Sequence, residues 1–270
     1  MKIPEIKITN IIKKNHDQKL KFKPADFYVR IRGYGKNKAW ANEIIKTADC
    51  AADLIQRETS GENVLKIIVN GVKKANLEVL EISKKFYTGL LRTTRNGWIT
   101  FQSEITTKYQ GNRYKIYEKR LDNIKNTPIK APQKGLGISK PIIYNGTKKI
   151  IHGDSKCVNL SLDYVLNLYQ NLFPKYLNKA LTQNDLEDIN STIAEIRWVL
   201  AHATPWMRGS DAISNVFTRA IYKALGIKTT PLKKGISLDL EAYCTPLEDY
   251  KLNFINYFEK PPKIVNKKDR

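Results

Sequence analysis

The chain has 270 residues, of which 41% are hydrophobic and 10% aromatic, so it can bury a core without metal or disulfide staples and does not read as disordered. With 47 Lys and Arg against 26 Asp and Glu, the net charge of +21 biases the surface toward acidic or phosphorylated partners. Cys50, Cys157 and Cys244 stand far apart, with neither a CxxC pair nor a Cys/His cluster, so neither a disulfide framework nor a zinc site is indicated.

The opening stretch MKIPEIKITNIIKKNHDQ contains no apolar run long enough for a signal peptide or a membrane span. The expected localisation is cytoplasmic, and the absence of such a run does not exclude secretion into a host cell without a cleavable signal peptide, because bacterial systems that deliver effectors into another cell need no such segment. Residues 1–36 read as a basic N-terminal segment, with FYVRIRGYG (27–35) as a short strand closed by glycines. Over 39–56, Trp40, Ile44, Ile45, Ala48, Ala52 and Ile55 fall at helical spacing. TSGEN (59–63) interrupts the pattern before a second helix through Val64, Ile67, Ile68, Val72, Ala75, Val79 and Ile82. Together these predict an antiparallel helical hairpin.

The middle of the chain changes character. WITFQSEITTKY (98–109) and NRYKIYEKRL (112–121) alternate and are rich in β-branched and aromatic residues, which predicts a strand pair around Gly111. After a Pro/Gly/Lys loop at 126–141, KPIIYNGTKKIIHGD (140–154) sets Asn145-Gly146 between two apolar runs, a strong hairpin signal. Helical spacing returns from Asn159. Leu186, Ile189, Ile193, Ile196 and Leu200 recur three and four apart behind Thr182 as N-cap. A further stripe of Ala212, Ile213, Val216, Phe217, Ala220, Ile221, Ala224 and Leu225 can end at Gly226. Residues 237–258 add one or two more helices. The fold class is mainly α (α+β). Residues 37–260 form a single mainly helical domain with a β-hairpin section at about 92–155, and 261–270 are a basic tail.

Between the two strongest helices lies LAHATPWMRGSDAISN (200–215), the densest concentration of chemistry in the chain. Ser210 is placed to cap the second helix, Gly209 lets the backbone approach closely, and a helix N-terminus with free amides is an anion site. Arg208 can fork onto a phosphate, and His202 can act as a base if the loop folds back. Asp211 would repel a bare phosphate, so the reading favours a metal-bound one. Each residue also has a plain structural role: Ser210 as an ordinary cap, Pro205-Trp206 as a packing corner, His202 as a core histidine and Asp211 as a dipole partner.

Helix, Pro-Trp-x-Arg-Gly-Ser, helix resembles the signature of the Fic/Doc (Fido) superfamily, His-Pro-Phe-x-x-Gly-Asn-Gly-Arg, and in particular its divergent branch of avirulence-B-type effectors. Pro205, Trp206 and Gly209 match the Pro, the aromatic and the first Gly. Thr204 stands at the His position, Arg208 at the acidic one, Ser210 for Asn, Asp211 for the second Gly and Ala212 for the Arg. The resemblance implies a Fido-like helical core in which the hairpin at 140–152 serves as a flap. It further implies transfer of a nucleotidyl or phosphoryl group to a target protein, from ATP or another nucleotide with Mg²⁺. His202 would be the base, Arg208, Gly209 and Ser210 would hold phosphate, and Asp211 would hold the metal. Two alternatives stand beside this reading: an interaction protein that keeps the fold and has lost the chemistry, and a basic nucleic-acid-binding protein.

Overall fold

In the computed structural model the described residues are 20–28, 36–57, 60–80, 85–92, 102–104, 111–124, 129–144 and 147–265. Helices α1 (Lys38–Gln56) and α2 (Gly61–Val79) form the expected antiparallel hairpin. Asn37 caps α1 and Ser60 caps α2 with their side chains. The Trp40 indole, near the start of α1, donates to Asn76 near the end of α2 at 2.7 Å. At Gly71 a Cβ would sit 2.3 Å from the Thr47 hydroxyl, so the glycine sets how closely the two helices approach. The strand expected at 27–35 falls mostly outside the described residues. Its first residue, Phe27, instead ends a 3-10 turn, Pro24–Phe27, and is buried.

The middle section departs from expectation in one element. Residues 112–121 lie in helix α3 (Gly111–Ile124) and not in a strand. Tyr117, Leu121 and Ile124 repeat at helical spacing and turn toward the core. The Tyr117 hydroxyl donates to the buried Glu241 carboxylate at 2.5 Å, and Arg120 pairs with it at 2.8 Å. Those contacts favour the 3.6-residue period over the alternation that the same residues also display. The short strand β1 (Gln102–Glu104) finds another partner. Strands β2 (Lys140–Tyr144) and β3 (Thr147–Ile151) form the expected antiparallel hairpin, in register Lys140↔Ile151 to Tyr144↔Thr147. β1 adds to the other side of β3, giving the order β1-β3-β2. The hairpin's Asn145-Gly146 turn lies outside the described residues.

The core gathers around helices α4 (Cys157–Tyr176), α5 (Gln183–Ala203) and α6 (Ser210–Ala224). A capping box starts α5: the Thr182 hydroxyl accepts from the Asp185 amide, and the Asp185 carboxylate accepts from the Thr182 amide. From Ile196 onward every residue of α5 is buried, because α4, α6, α7 (Leu238–Tyr243) and α8 (Leu247–Asn253) all pack against it. α6 in turn rests on α1 and α2. Gly226, with φ 75°, ends α6 as its pattern predicts. Residues 20–28 already pack on the helices, with Arg219 5.7 Å from the Phe27 ring. At the other end Lys263–Ile264 form β5, antiparallel to β4 (Ile227–Lys228), so the fold continues past residue 260.

Candidate functional site

Helix α5 ends abruptly. Thr204 takes a left-handed conformation, φ 41° and ψ 62°, because Pro205 disfavours the right-handed helix at the residue before it. The Thr204 hydroxyl donates to Ala201 O at 2.8 Å, and its carbonyl accepts from Arg92 Nε at 2.7 Å, which hold this uncommon geometry. Trp206 turns into the core. Gly209, at φ 88°, is the N-cap of α6, and Ser210 is its first helical residue. The cap assigned to Ser210 from the sequence thus belongs to Gly209, whose backbone turn needs a positive φ. The Ser210 hydroxyl faces back instead, accepting from Trp206 N at 3.1 Å and donating to Trp206 O at 2.9 Å. It ties the loop shut.

A second segment straps this corner. Residues 85–92 run alongside 204–208, with Gly89 N donating to Arg208 O at 3.1 Å, Met207 N to Leu90 O at 2.8 Å and Arg92 N to Pro205 O at 2.9 Å. The buried Arg92 guanidinium also donates to Ala203 O at 2.5 Å and Gly153 O at 2.9 Å. A cation at the carbonyl end of α5 is where the helix dipole favours one.

His202 lies inside the core with no exposed surface. The Ser139 amide donates to its Nδ1 at 3.0 Å, so the proton sits on Nε2, which donates to Ala242 O at 3.1 Å. Its ring is 4.0 Å from the Trp198 ring and 5.6 Å from Tyr243. Burial pulls its pKa down to about 3, so the ring is neutral. A second histidine, His152, is equally enclosed and escaped the sequence reading; it lies just past β3 in the run IIHGD. Its Nδ1 is 2.8 Å from the Ser139 hydroxyl and 3.0 Å from that of Thr204. Those hydroxyls donate to His202 O and Ala201 O, so His152 Nδ1 is the donor toward them. Burial first, then the charges of Arg92 and His202, bring its pKa to about 3.

The remaining candidates lie on the outer side of the corner. Arg208 is exposed and Gly209 half-buried. The Asp211 carboxylate pairs with Arg197, a fully buried guanidinium that also meets Asp239 at 2.8 Å. That engagement turns Asp211 toward a protein cation and makes it a poor fit for Mg²⁺. Among the described residues no group of three or more His, Cys, Asp or Glu side chains is arranged to hold a metal. The structure therefore brings Arg208, Gly209, Ser210 and Asp211 together at the start of α6 and separates His202 from them by the wall of the core. None of the described helices is long and apolar enough to cross a membrane.

The family model of the avirulence proteins (AvrB_AvrC) matches residues 122–261, a span that holds α5, the corner and α6. A comparison with curated proteins finds no match to the chain.

Proposed function

The chain belongs to the avirulence protein family AvrB_AvrC, a family of bacterial effectors, and from that premise we propose that it works in a host cell by holding a host target protein. In this reading the corner at 200–211 is a rigid scaffold and not a reaction centre. One observation carries it: the residue best suited to act as a base, His202, is enclosed with both ring nitrogens committed to backbone groups. A general base has to come within hydrogen-bond reach of the hydroxyl that it activates.

A second reading is supported by the exposed Arg208 directly ahead of the Gly209 cap, where a helix N-terminus favours an anion. It is transfer of a nucleotidyl or phosphoryl group, as in the Fido-type enzymes that the corner resembles, with Arg208, Gly209 and Ser210 on a nucleotide phosphate. That reading needs His202 to leave its enclosure and Asp211 to release Arg197 before either could serve.

The two readings separate in one experiment. The protein is incubated with host-cell extract, Mg²⁺ and ATP labelled at either the α- or the γ-phosphate, and the extract is searched for labelled protein. Holding without chemistry predicts no label above that of the extract alone. Label that depends on the protein and disappears in Arg208→Ala would overturn the binding reading and favour transfer.

A further inference from the structure

Residues 85–92 invert the usual sorting of side chains. Thr88 and Arg92 are buried, while Phe86 is 66% exposed, Tyr87 48%, Leu90 43% and Leu91 40%. Of the seven large apolar side chains exposed among the described residues, these four fall within six consecutive positions. A lone exposed leucine needs no account, but a contiguous apolar cluster on a folded surface marks an interaction site.

The inversion is held in place. The Thr88 hydroxyl accepts from Asn76 Nδ2 at 2.9 Å, and Gly89 packs so closely on α2 that a Cβ there would meet Val69 at 2.7 Å. Arg92 fixes the far end on three backbone carbonyls. With its polar groups pinned inward at 88 and 92, the strap presents 86, 87, 90 and 91 outward as a fixed surface.

The surroundings are cationic. Exposed Arg208 is joined to Gly89 through its carbonyl, and Lys73 flanks the same glycine. The Lys85 ammonium lies 5.8 Å from the Phe86 ring and donates to Leu77 O at 3.1 Å. The nearby acid Glu78 stands 4.0 Å from Lys74. A guanidinium and lysines around an apolar cluster suit carboxylates flanking apolar side chains, and Arg208 can take a carboxylate with two parallel bonds.

We propose that Phe86, Tyr87, Leu90 and Leu91, with Arg208 and Lys85 at their edge, are the docking surface for an acidic segment of the host target that carries its own apolar side chains. The proposal rests on the target-holding reading and gives it a place and a partner chemistry. The strap precedes the residues matched by the family model, so the surface is argued from this chain's own geometry.

The test is a selection of displayed random peptides on the intact protein. Enriched sequences are then synthesised with a fluorophore and titrated against wild type, Phe86→Ser/Leu90→Ser and Arg208→Glu. Enriched peptides should combine Asp or Glu with Leu, Ile, Phe or Trp. Affinity should fall at least tenfold in each variant and weaken as salt rises. All three positions are exposed, so thermal melts of the variants should match wild type. Absence of enrichment, peptides without acidic residues, or affinities unchanged in Phe86→Ser/Leu90→Ser would each overturn the proposal. So would a wild-type dimer in sedimentation that becomes monomeric in that variant, which would make a second copy the occupant. Protein-dependent labelling of host proteins from ATP bears on the target-holding reading, whereas the peptide titration involves no nucleotide, so the two results can fail independently.

Discussion

His202 rests on Trp198 and joins the Ser139 amide to the Ala242 carbonyl, so removing its ring leaves a void and two buried backbone groups without that partner. His202→Ala is expected to cost about 3–5 kcal/mol in urea unfolding at neutral pH. A loss under about 1 kcal/mol would mean that the ring is not enclosed in solution. Acid should act through the same residue and its neighbour. His152 and His202 are both lowered to about 3 from 6.5, so the folded protein refuses protons that the unfolded chain takes up. Stability is therefore whole above pH 6.5 and lost as the pH falls toward 3, by about 1.4 kcal/mol per pH unit for each histidine. Unfolding measured from pH 7.5 down to 4.5 should show that slope, and His152→Gln should flatten it by roughly half. At this scale the sequence was only partly legible. Pro205 announces the end of α5, but no local signal tells whether a histidine three residues earlier faces a cleft or a core. That is decided by Ser139 and Ala242, which arrive from elsewhere in the chain.

At the scale of elements, the joint core of α5 and α6 invites a direct measurement. Ile193, Ile196, Leu200, Val216, Phe217 and Ile221 are all buried, and the Phe217 ring lies 5.6 Å from Tyr169. Phe217→Ala should cost about 3–5 kcal/mol in the same unfolding assay. These helices were readable because long runs keep one period and Thr182 and Gly226 punctuate them. α3 was not. Its residues carry alternating and helical periods at once, and the distant Glu241 contributes to the choice between them. The hairpin β2–β3 was readable from Asn145-Gly146 alone, whereas the addition of β1 to β3 is a long-range pairing that a local pattern does not encode.

For the whole molecule, the ends of the domain carry the next expectation. Val265 N donates to Gly226 O at 3.0 Å, Ile264 pairs with Ile227, and Val265 is buried. Removing residues 261–270 should therefore cost about 2 kcal/mol and lower the melting temperature by about 4–8 °C. An unchanged melt would show that β5 adds nothing to the fold. The sequence reads as a basic tail here because KPPKIVNKKDR is dominated by charge and proline, with Ile264 and Val265 too brief to register as a strand. The mainly helical class, by contrast, follows from the sum of several long periodic segments and tolerates errors in any one of them.

Arg92 also ties together parts of the chain that are made at very different times. Its acceptors Gly153, Ala203 and Thr204 lie 61, 111 and 112 residues further along. At about 5–20 residues per second, ribosomal synthesis of the longer interval takes on the order of 5–20 s. Throughout that interval the Ala203 and Thr204 carbonyls are not yet there to meet the guanidinium, and the neighbouring Phe86, Tyr87, Leu90 and Leu91 emerge without the corner that later fixes their backbone. The nascent protein thus carries this apolar stretch unsecured until α5 has been translated to its end.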